Sequence, residues 1–303
     1  MRLKLTIEYA GTRYSGWQIQ KNARTIQGEI DRATRTVTGR NDFELYGAGR
    51  TDAGVHATGQ VAHLDVASKL PPQSLVRRLN DELPADINIL AAHPVPHKFH
   101  ARHDALARRY LYQIARRRTA LAKPYVWWVK DPLATERMRE ATQAFTGMRD
   151  FKSFAASDEQ PDGGQGGQGG QGGRGGQGRG PRRAQAPPST MVLIERLEVL
   201  EDGDLVLVVI EGSHFLWKMV RRVVGVLVEI GCGRLENSDA SRLLEAESDL
   251  PARLTAPASG LFLERVIYAS DRRDLAVQPV TPLRRSETPA SATTSDAISG
   301  TSA

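Results

Sequence analysis

The sequence of 303 residues contains a single cysteine, Cys232, and has no long uncharged run. One cysteine excludes an internal disulfide, and it excludes zinc and iron–sulfur sites built from several cysteines. The first residues carry a charge at every second or third position, unlike a secretory signal peptide, and no uncharged run reaches membrane-spanning length. We therefore expect a cytoplasmic protein without a membrane partner.

Several catalytic motifs are also missing from the chain. There is no Gly-Lys dipeptide, which a P-loop requires, and no Gly-x-Ser-x-Gly elbow of a serine hydrolase. Four histidines lie between His93 and His103, but Pro94 and Pro96 prevent a helical pair of metal ligands there. We therefore predict no metal site.

Positive charge is in excess, with 41 Lys and Arg against 35 Asp and Glu, a net charge of +6. The isoelectric point is about 9.6. A basic protein favours polyanionic partners, so nucleic acid is the first partner to test. Hydrophobic residues make up 40% of the chain, enough for one large domain or two of ordinary size.

Two segments lack the apolar residues that a core needs. Of the 28 glycines, 12 lie between Gly163 and Gly180, in a Gly-Gly-Gln repeat with arginines towards its end. We interpret residues 158–188 as a flexible insert, with an arginine–glycine arm that touches RNA as the alternative. Residues 271–303, rich in Ser, Thr, Ala and Pro, are predicted to form a disordered tail.

The N-terminal half, residues 1–104, shows a regular alternation of strands and helices. Apolar residues from Leu3 to Tyr9 alternate with polar ones, as in a half-buried strand. Thr25 is expected to cap a helix that Gly39 ends. Further strands at 43–46, 60–66 and 87–93, with a helix at 73–80, give the order βαββαβ.

The C-terminal half, residues 105–270, has a similar plan. It begins with a strand at 109–115 and a helix from Thr135, and the pair Asp202-Gly203 predicts a hairpin. Its remaining predicted elements are strands at 191–200 and 205–211, an apolar helix at 215–230, a short helix, and a strand at 261–268. The sequence therefore predicts an α+β protein of two pseudo-repeated, ferredoxin-like (RNP-like) halves, with antiparallel sheets around a central basic cleft.

The most unusual local sequence runs from Tyr46 to Gln60, where four glycines surround Arg50 and Asp52. A dinucleotide-binding fingerprint does not fit, because its third glycine is missing. Asp52 could be an acceptor in a turn or a helix cap. Alternatively, the cation of Arg50 holds it ionised as a catalytic nucleophile or base.

Three cations, Lys218, Arg221 and Arg222, occur within the predicted apolar helix. A buried cation needs a partner, although Lys218 and Arg222 could extend to solvent from a half-exposed face. Arg221 lies among valines, and we expect it to meet an anion. Asp52 and a substrate phosphate are the two candidates.

Aromatic rings alternate with cations between Arg102 and Arg118, as in Arg109-Tyr110-Leu111-Tyr112. Guanidinium groups bind phosphates, and rings stack on unpaired bases, so this pattern predicts a nucleic-acid surface. The alternative is a basic edge strand with Tyr110 and Tyr112 in the core.

These segments resemble the bacterial tRNA pseudouridine synthase A family. The resemblance is carried by Gly49–His56, Phe99–Arg102 and Ala107–Tyr110, and it extends to Met219–Arg221 and Ala256–Leu261. It implies a pseudouridine synthase fold, a homodimer, and isomerisation of uridine to pseudouridine at positions 38, 39 and 40 of the tRNA anticodon stem and loop. It implies no cofactor and no metal.

The resemblance also implies roles for single residues. Asp52 would be the catalytic nucleophile, Arg221 its ion-pair partner, and Tyr110 the ring that stacks on the target uracil. Arg50 would enter the duplex or hold phosphate as the base flips out. Three further residues are implied to bind substrate: Arg102, Arg109 and Leu261.

Two positions depart from the family pattern: Ser213, where Asn is common, and the region of Val192, where Arg is frequent. Two other functions stay open, a non-catalytic RNA-binding or RNA-chaperone protein and a nucleosidase or glycosidase. A carboxylate in a basic cleft weakens plain RNA binding, so Asp52 favours an enzyme. A glycosidase needs a second carboxylate, which the motif lacks.

Overall fold

The computed structural model describes residues 1–156 and 189–283. The predicted glycine-rich insert and the last part of the predicted tail lie outside these residues. Within the described residues, no helix is long and apolar enough to cross a membrane.

The N-terminal half has the predicted βαββαβ order. Its elements are β1 (Arg2–Tyr9), α1 (Ile26–Thr38), β2 (Glu44–Gly47), β3 (His56–Asp65), α2 (Pro72–Glu82) and β4 (Ile87–Pro94). The Thr25 side chain accepts a hydrogen bond from the Gly28 amide at 3.2 Å, and Gly39 ends α1 in the left-handed region with φ of 66°. Both predicted ends of this helix are confirmed, whereas β3 begins four residues earlier than predicted.

The C-terminal half contains more elements than the sequence predicts. They are β5 (Ala107–Ala115), β6 (Trp127–Trp128), α3 (Thr135–Phe145), β7 (Gly147–Asp150), β8 (Met191–Asp202), β9 (Leu205–Gly212), α4 (Met219–Gly231), α5 (Asn237–Glu245), α6 (Leu250–Arg253) and β10 (Leu261–Ile267). The predicted hairpin between β8 and β9 is confirmed, with Gly203 at φ of 56° in its turn. The short strands β6 and β7 were not predicted.

The start of α4 differs from the prediction. The helix begins at Met219 rather than at Phe215, because Lys218 adopts the left-handed conformation with φ of 60° and cannot continue a helix. The residues between β9 and α4 form a loop instead, which carries Phe215 and Trp217.

One sheet of ten strands joins the two halves. The strand order is β4-β1-β3-β10-β5-β9-β8-β7, with β2 paired to β3 and β6 paired to β5. β10 pairs antiparallel with β5 and parallel with β3, where Leu263 lies opposite Ala57. The final strand therefore connects the sheet of the N-terminal half to that of the C-terminal half.

The two faces of the sheet are covered differently. On one face, side chains such as Leu5 pack with the apolar sides of the helices, including Ile30, Leu75 and Val223, in the main core. On the other face, a smaller cluster contains Leu111, Leu207, Phe262 and Leu283.

Residues 271–283 differ from the predicted disordered tail, because they pack along β5 on the face of the smaller cluster. The Gln113 Oε1 atom accepts a hydrogen bond from the Val280 amide at 2.7 Å, and Arg109 Nη2 donates to the Arg273 carbonyl at 2.6 Å. Leu283 is buried there. We call residues 271–283 the C-terminal strap.

Candidate active site

Asp52 lies in the loop that connects β2 to β3, and neighbouring backbone holds this loop in place. The Thr51 hydroxyl lies 2.8 Å from the Tyr9 hydroxyl, and the Trp17 amide donates to the Thr51 carbonyl at 3.0 Å. Gln60 on β3 donates to the Gly49 carbonyl at 2.9 Å. These hydrogen bonds therefore fix the loop of Asp52 against the rest of the N-terminal half.

Glycine is required where the segment after β1 meets the loop that carries Asp52. A Cβ atom on Gly11 would lie 1.9 Å from the Val55 carbonyl oxygen, which is an impossible contact. Gly54, two residues after Asp52, has φ of 78°, a conformation that other residues rarely adopt. Gly54 of the motif therefore serves a sharp turn after Asp52, and Gly11 allows a close approach of the two backbones.

The Asp52 carboxylate is half-buried, with 23% of its side chain exposed. Its Oδ2 atom lies 3.7 Å from Arg221 Nη1. Burial raises the pKa of Asp52, while the positive charges of Arg221 and Lys218 act against this increase. The cations that lower the pKa of Asp52 most are therefore Arg221 and Lys218, and Arg50, which the sequence suggested for this role, has an exposed side chain.

Arg221 is held in its orientation by a second contact. Its Nε atom donates to the Ala256 carbonyl at 2.7 Å, so one edge of the guanidinium group is fixed while the other faces Asp52. Arg222 does not extend to solvent: it is buried, and its Nη1 atom donates to the Ala155 carbonyl at 2.6 Å. Lys218 is half-buried, and its ammonium group lies 4.6 Å from the centroid of the Trp217 ring.

Tyr110 on β5 lies near Asp52 and is 8% exposed. Burial raises the pKa of Tyr110, and the negative charge of Asp52 adds to that increase. The Tyr110 ring meets the Phe215 ring edge to face, with centroids 5.2 Å apart. Tyr112, in contrast, is a core residue, fully buried, with its hydroxyl donating to the Pro257 carbonyl.

The remaining predicted site residues occupy different environments. Arg50 and Arg102 are exposed, so both side chains are available to a large substrate. Leu261 is buried and lies opposite Tyr112, on the same face of the sheet as Tyr110.

Arg109 does not belong to this site. Successive side chains of a strand point to opposite faces, so Arg109 lies on the other face of β5 from Tyr110. It is fully buried, with its Nε atom 2.8 Å from Glu211 Oε2, and the C-terminal strap covers this ion pair. Arg109 is therefore a structural residue, and the expectation that it binds substrate is wrong.

Trp217 is the site residue that sequence reasoning missed. It is an exposed aromatic side chain beside Asp52, and it lowers the pKa of that carboxyl through a hydrogen bond. The predicted helix at 215–230 included Trp217 in its first turn, and no role was expected for this residue. Only the left-handed conformation of Lys218, which the sequence does not indicate, brings the ring to the site.

His56 serves the fold, and the described histidines form no metal site. No group of three or more His, Cys, Asp or Glu side chains in residues 1–156 and 189–283 is arranged to hold a metal ion. His56, at the start of β3, is buried. Its Nδ1 atom accepts from the Gly11 amide at 3.1 Å, and its Nε2 atom lies 3.0 Å from the Pro124 carbonyl. Burial lowers the pKa of His56 to about 4, so the ring is neutral at neutral pH.

Comparison with known proteins relates this chain to a described family. A family model described as tRNA pseudouridine synthase matches residues 5–104 and 181–269. These segments include Asp52 and Arg221, whereas the C-terminal strap follows the last matched residue.

Individual relatives cover almost the same part of the chain. The tRNA pseudouridine synthase A of Rhodopseudomonas palustris (strain BisA53) is 39% identical over 270 residues, covering 88% of this chain and 99% of the relative. That of Nitrobacter winogradskyi is 38% identical over 270 residues, covering 88% and 95%. That of Thermoanaerobacter sp. (strain X514) is 34% identical over 266 residues, covering 87% and 98%.

Proposed function

Because the chain belongs to the tRNA pseudouridine synthase family, we infer that it is an isomerase that converts uridine to pseudouridine in tRNA. The observation that carries this inference is a half-buried carboxylate, Asp52, held 3.7 Å from Arg221 and close to the Tyr110 ring. A non-catalytic RNA-binding protein has no need of such a carboxylate, and this alternative is not favoured.

The reaction moves the uracil from a carbon–nitrogen to a carbon–carbon linkage. The bond between C1′ and N1 breaks, a bond between C1′ and C5 forms, the proton of C5 leaves, and N1 gains a proton. We propose that the ionised Asp52 starts this exchange. It would attack C1′ or C6, or remove the proton of C2′, and these three alternatives stay open.

The uracil has to leave its stack before Asp52 reaches it, at a cost of a few kcal/mol. We propose that Tyr110 stacks on the extruded base and that Arg50 occupies the space it leaves or holds a phosphate. Stacking on an aromatic ring contributes on the order of 1–3 kcal/mol per base, which offsets this cost. Arg102 and Leu261 are proposed as further substrate contacts.

We further propose that the modified positions are 38, 39 and 40 of the anticodon stem and loop, and that the enzyme is a cytoplasmic homodimer. The resemblance of the sequence motifs to the synthase A family supports the tRNA positions and the homodimer, and the single cysteine fits the reducing cytoplasm. Sedimentation equilibrium checks the second, since a homodimer has twice the mass of the 33.2 kDa chain.

Carbodiimide mapping of unmodified tRNA after incubation with the purified protein tests the function. We expect pseudouridine in the anticodon arm with the wild type and none with Asp52→Asn or Asp52→Ala, while tRNA binding stays within a few-fold. Asp42→Asn, which removes an exposed carboxylate paired with Arg40, is the matched control and should remain active. Binding without modification by the wild type would point to the RNA-binding alternative, and turnover by Asp52→Ala would refute the role of Asp52.

A further inference from the structure

Arg108 connects the strand of Tyr110 to the loop of Asp52 and to the loop that precedes α4, the helix of Arg221. It lies on β5 two residues before Tyr110, so both side chains are on the same face of the sheet. Its guanidinium group donates hydrogen bonds to four backbone carbonyls, those of Ala48 (3.0 Å), Arg102 (2.8 Å), Ala105 (3.3 Å) and Ser213 (2.9 Å).

The positions of these carbonyls explain why the contacts matter. Ala48 is the first residue after β2, where the loop that holds Asp52 begins. Ser213 is the first residue after β9, where the loop that leads to Trp217 and α4 begins. A single side chain therefore connects the strand of Tyr110 to the start of both loops.

The guanidinium group of Arg108 is engaged by backbone carbonyl oxygens and not by an anion of the described residues. The planar guanidinium group has five N–H donors in a fixed fork, and its two terminal nitrogens are engaged by the four carbonyls. Within the described part of the chain, no carboxylate forms an ion pair with Arg108, although the side chain is half-buried. Desolvating a cation without an anion is costly, and the four hydrogen bonds to loop carbonyls offset this cost.

We propose that Arg108 is a positioning residue that fixes the places of Asp52, Tyr110 and Arg221 relative to one another. This inference rests on the proposed function. Arg108 acts through the backbone of the two loops and not through RNA, because its terminal nitrogens are already engaged. Its loss should therefore slow the chemical step and leave tRNA binding almost unchanged.

Kinetics of Arg108→Met and Arg108→Lys test the proposal. Small misplacements of catalytic groups cost up to roughly 100-fold in rate, so we expect Arg108→Met to lower kcat by about 10- to 100-fold, with KM within about threefold. Arg108→Lys keeps one nitrogen with three donors and should recover part of kcat. Arg196→Met is the matched control: it removes a half-buried arginine of β8, paired with Glu198, and should leave both constants unchanged.

Hydrogen exchange of the free protein gives a second readout that does not depend on turnover. In Arg108→Met we expect faster exchange in residues 48–55 and 213–218 and unchanged exchange in the strands. Three results would each overturn the proposal: an unchanged kcat, an increase in KM alone, or hydrogen exchange that rises uniformly over the whole molecule in Arg108→Met and Arg108→Lys. If the wild type does not modify tRNA, the proposed function fails, and exchange alone then decides whether Arg108 holds the two loops.

Discussion

The Asp52 carboxyl group is subject to two opposed influences on its pKa. Burial raises the pKa, because a charge is less stable away from water, and the cations of Arg221 and Lys218 lower it. A carboxylate that is partly desolvated and still ionised is a better nucleophile or base than one in bulk water. At the scale of single residues, the site therefore combines partial burial with cations held by the helix α4 and the turn before it.

Tyr110 provides a test of base stacking at the same scale. We expect Tyr110→Ala to lower the single-turnover rate by about 5- to 150-fold, the equivalent of losing one stacking contact of 1–3 kcal/mol. Tyr110→Phe keeps the ring and should retain most of the rate. The measurement is the rate of pseudouridine formation with enzyme in excess over tRNA.

Two further observations control this experiment. Because Tyr110 is nearly buried, thermal unfolding of each variant shows whether a loss of rate reflects a loss of fold. Tyr112→Phe removes the hydrogen bond to Pro257 but keeps a core ring, and it should remain active. Equal rates for Tyr110→Ala and the wild type would remove Tyr110 from the stacking role.

At the scale of elements, local sequence patterns correctly predicted the helix ends and the hairpin turn that depend only on adjacent residues. The cap at Thr25, the stop at Gly39 and the hairpin at Gly203 each follow from a few adjacent residues, and all three are present. The start of α4 depends on the left-handed conformation of Lys218. No local pattern indicates that conformation, so the loop with Trp217 could not be predicted.

Strand periodicity has a similar limit. It predicts that Arg109 and Tyr110 point to opposite faces, but it does not say which face carries the site. The partner of Arg109, Glu211, is 102 residues away in the chain. The burial of Arg109 under the C-terminal strap depends on contacts with residues far away in the chain. The prediction for Arg109 failed for this reason, whereas the pairing of Asp52 with Arg221 agreed with the expectation of an anion near Arg221.

His56 makes the free energy of unfolding of the protein depend on pH. Its pKa is about 4 in the folded protein, because burial penalises the charged ring, against about 6.5 in the unfolded chain. Between these values the unfolded chain binds a proton that the folded protein does not, so the free energy of unfolding decreases as pH falls. The full effect is about 3 kcal/mol.

Urea unfolding between pH 7 and pH 4.5 measures this dependence. We expect His56→Gln to be less stable than the wild type at pH 7 but to lose less stability on acidification. Ile30→Val, a change in the core that removes no titratable group, should lower stability but keep the slope of the wild type. Identical slopes for His56→Gln and the wild type would show that His56 is not the responsible group.

At the scale of the whole molecule, the C-terminal strap and the site lie on opposite faces of the sheet. The strap covers Arg109, Gln113 and the smaller cluster, whereas Tyr110 faces Asp52 on the side of the helices. The family model ends at residue 269, before the strap. Stability and activity should therefore respond separately to its removal.

Two truncations test this separation. Ending the chain after Ser270 removes the burial of Leu283 and the backbone partners of Arg109, so we expect the free energy of unfolding to decrease by about 2 kcal/mol or more. Ending it after Leu283 keeps every described contact of the strap and should leave stability unchanged. The rate of pseudouridine formation per folded molecule should equal that of the wild type in both, because the site lies across the sheet. Equal stability of the two truncated proteins in urea would show that the strap does not stabilise the fold, and a lower rate with the shorter one would connect it to the site.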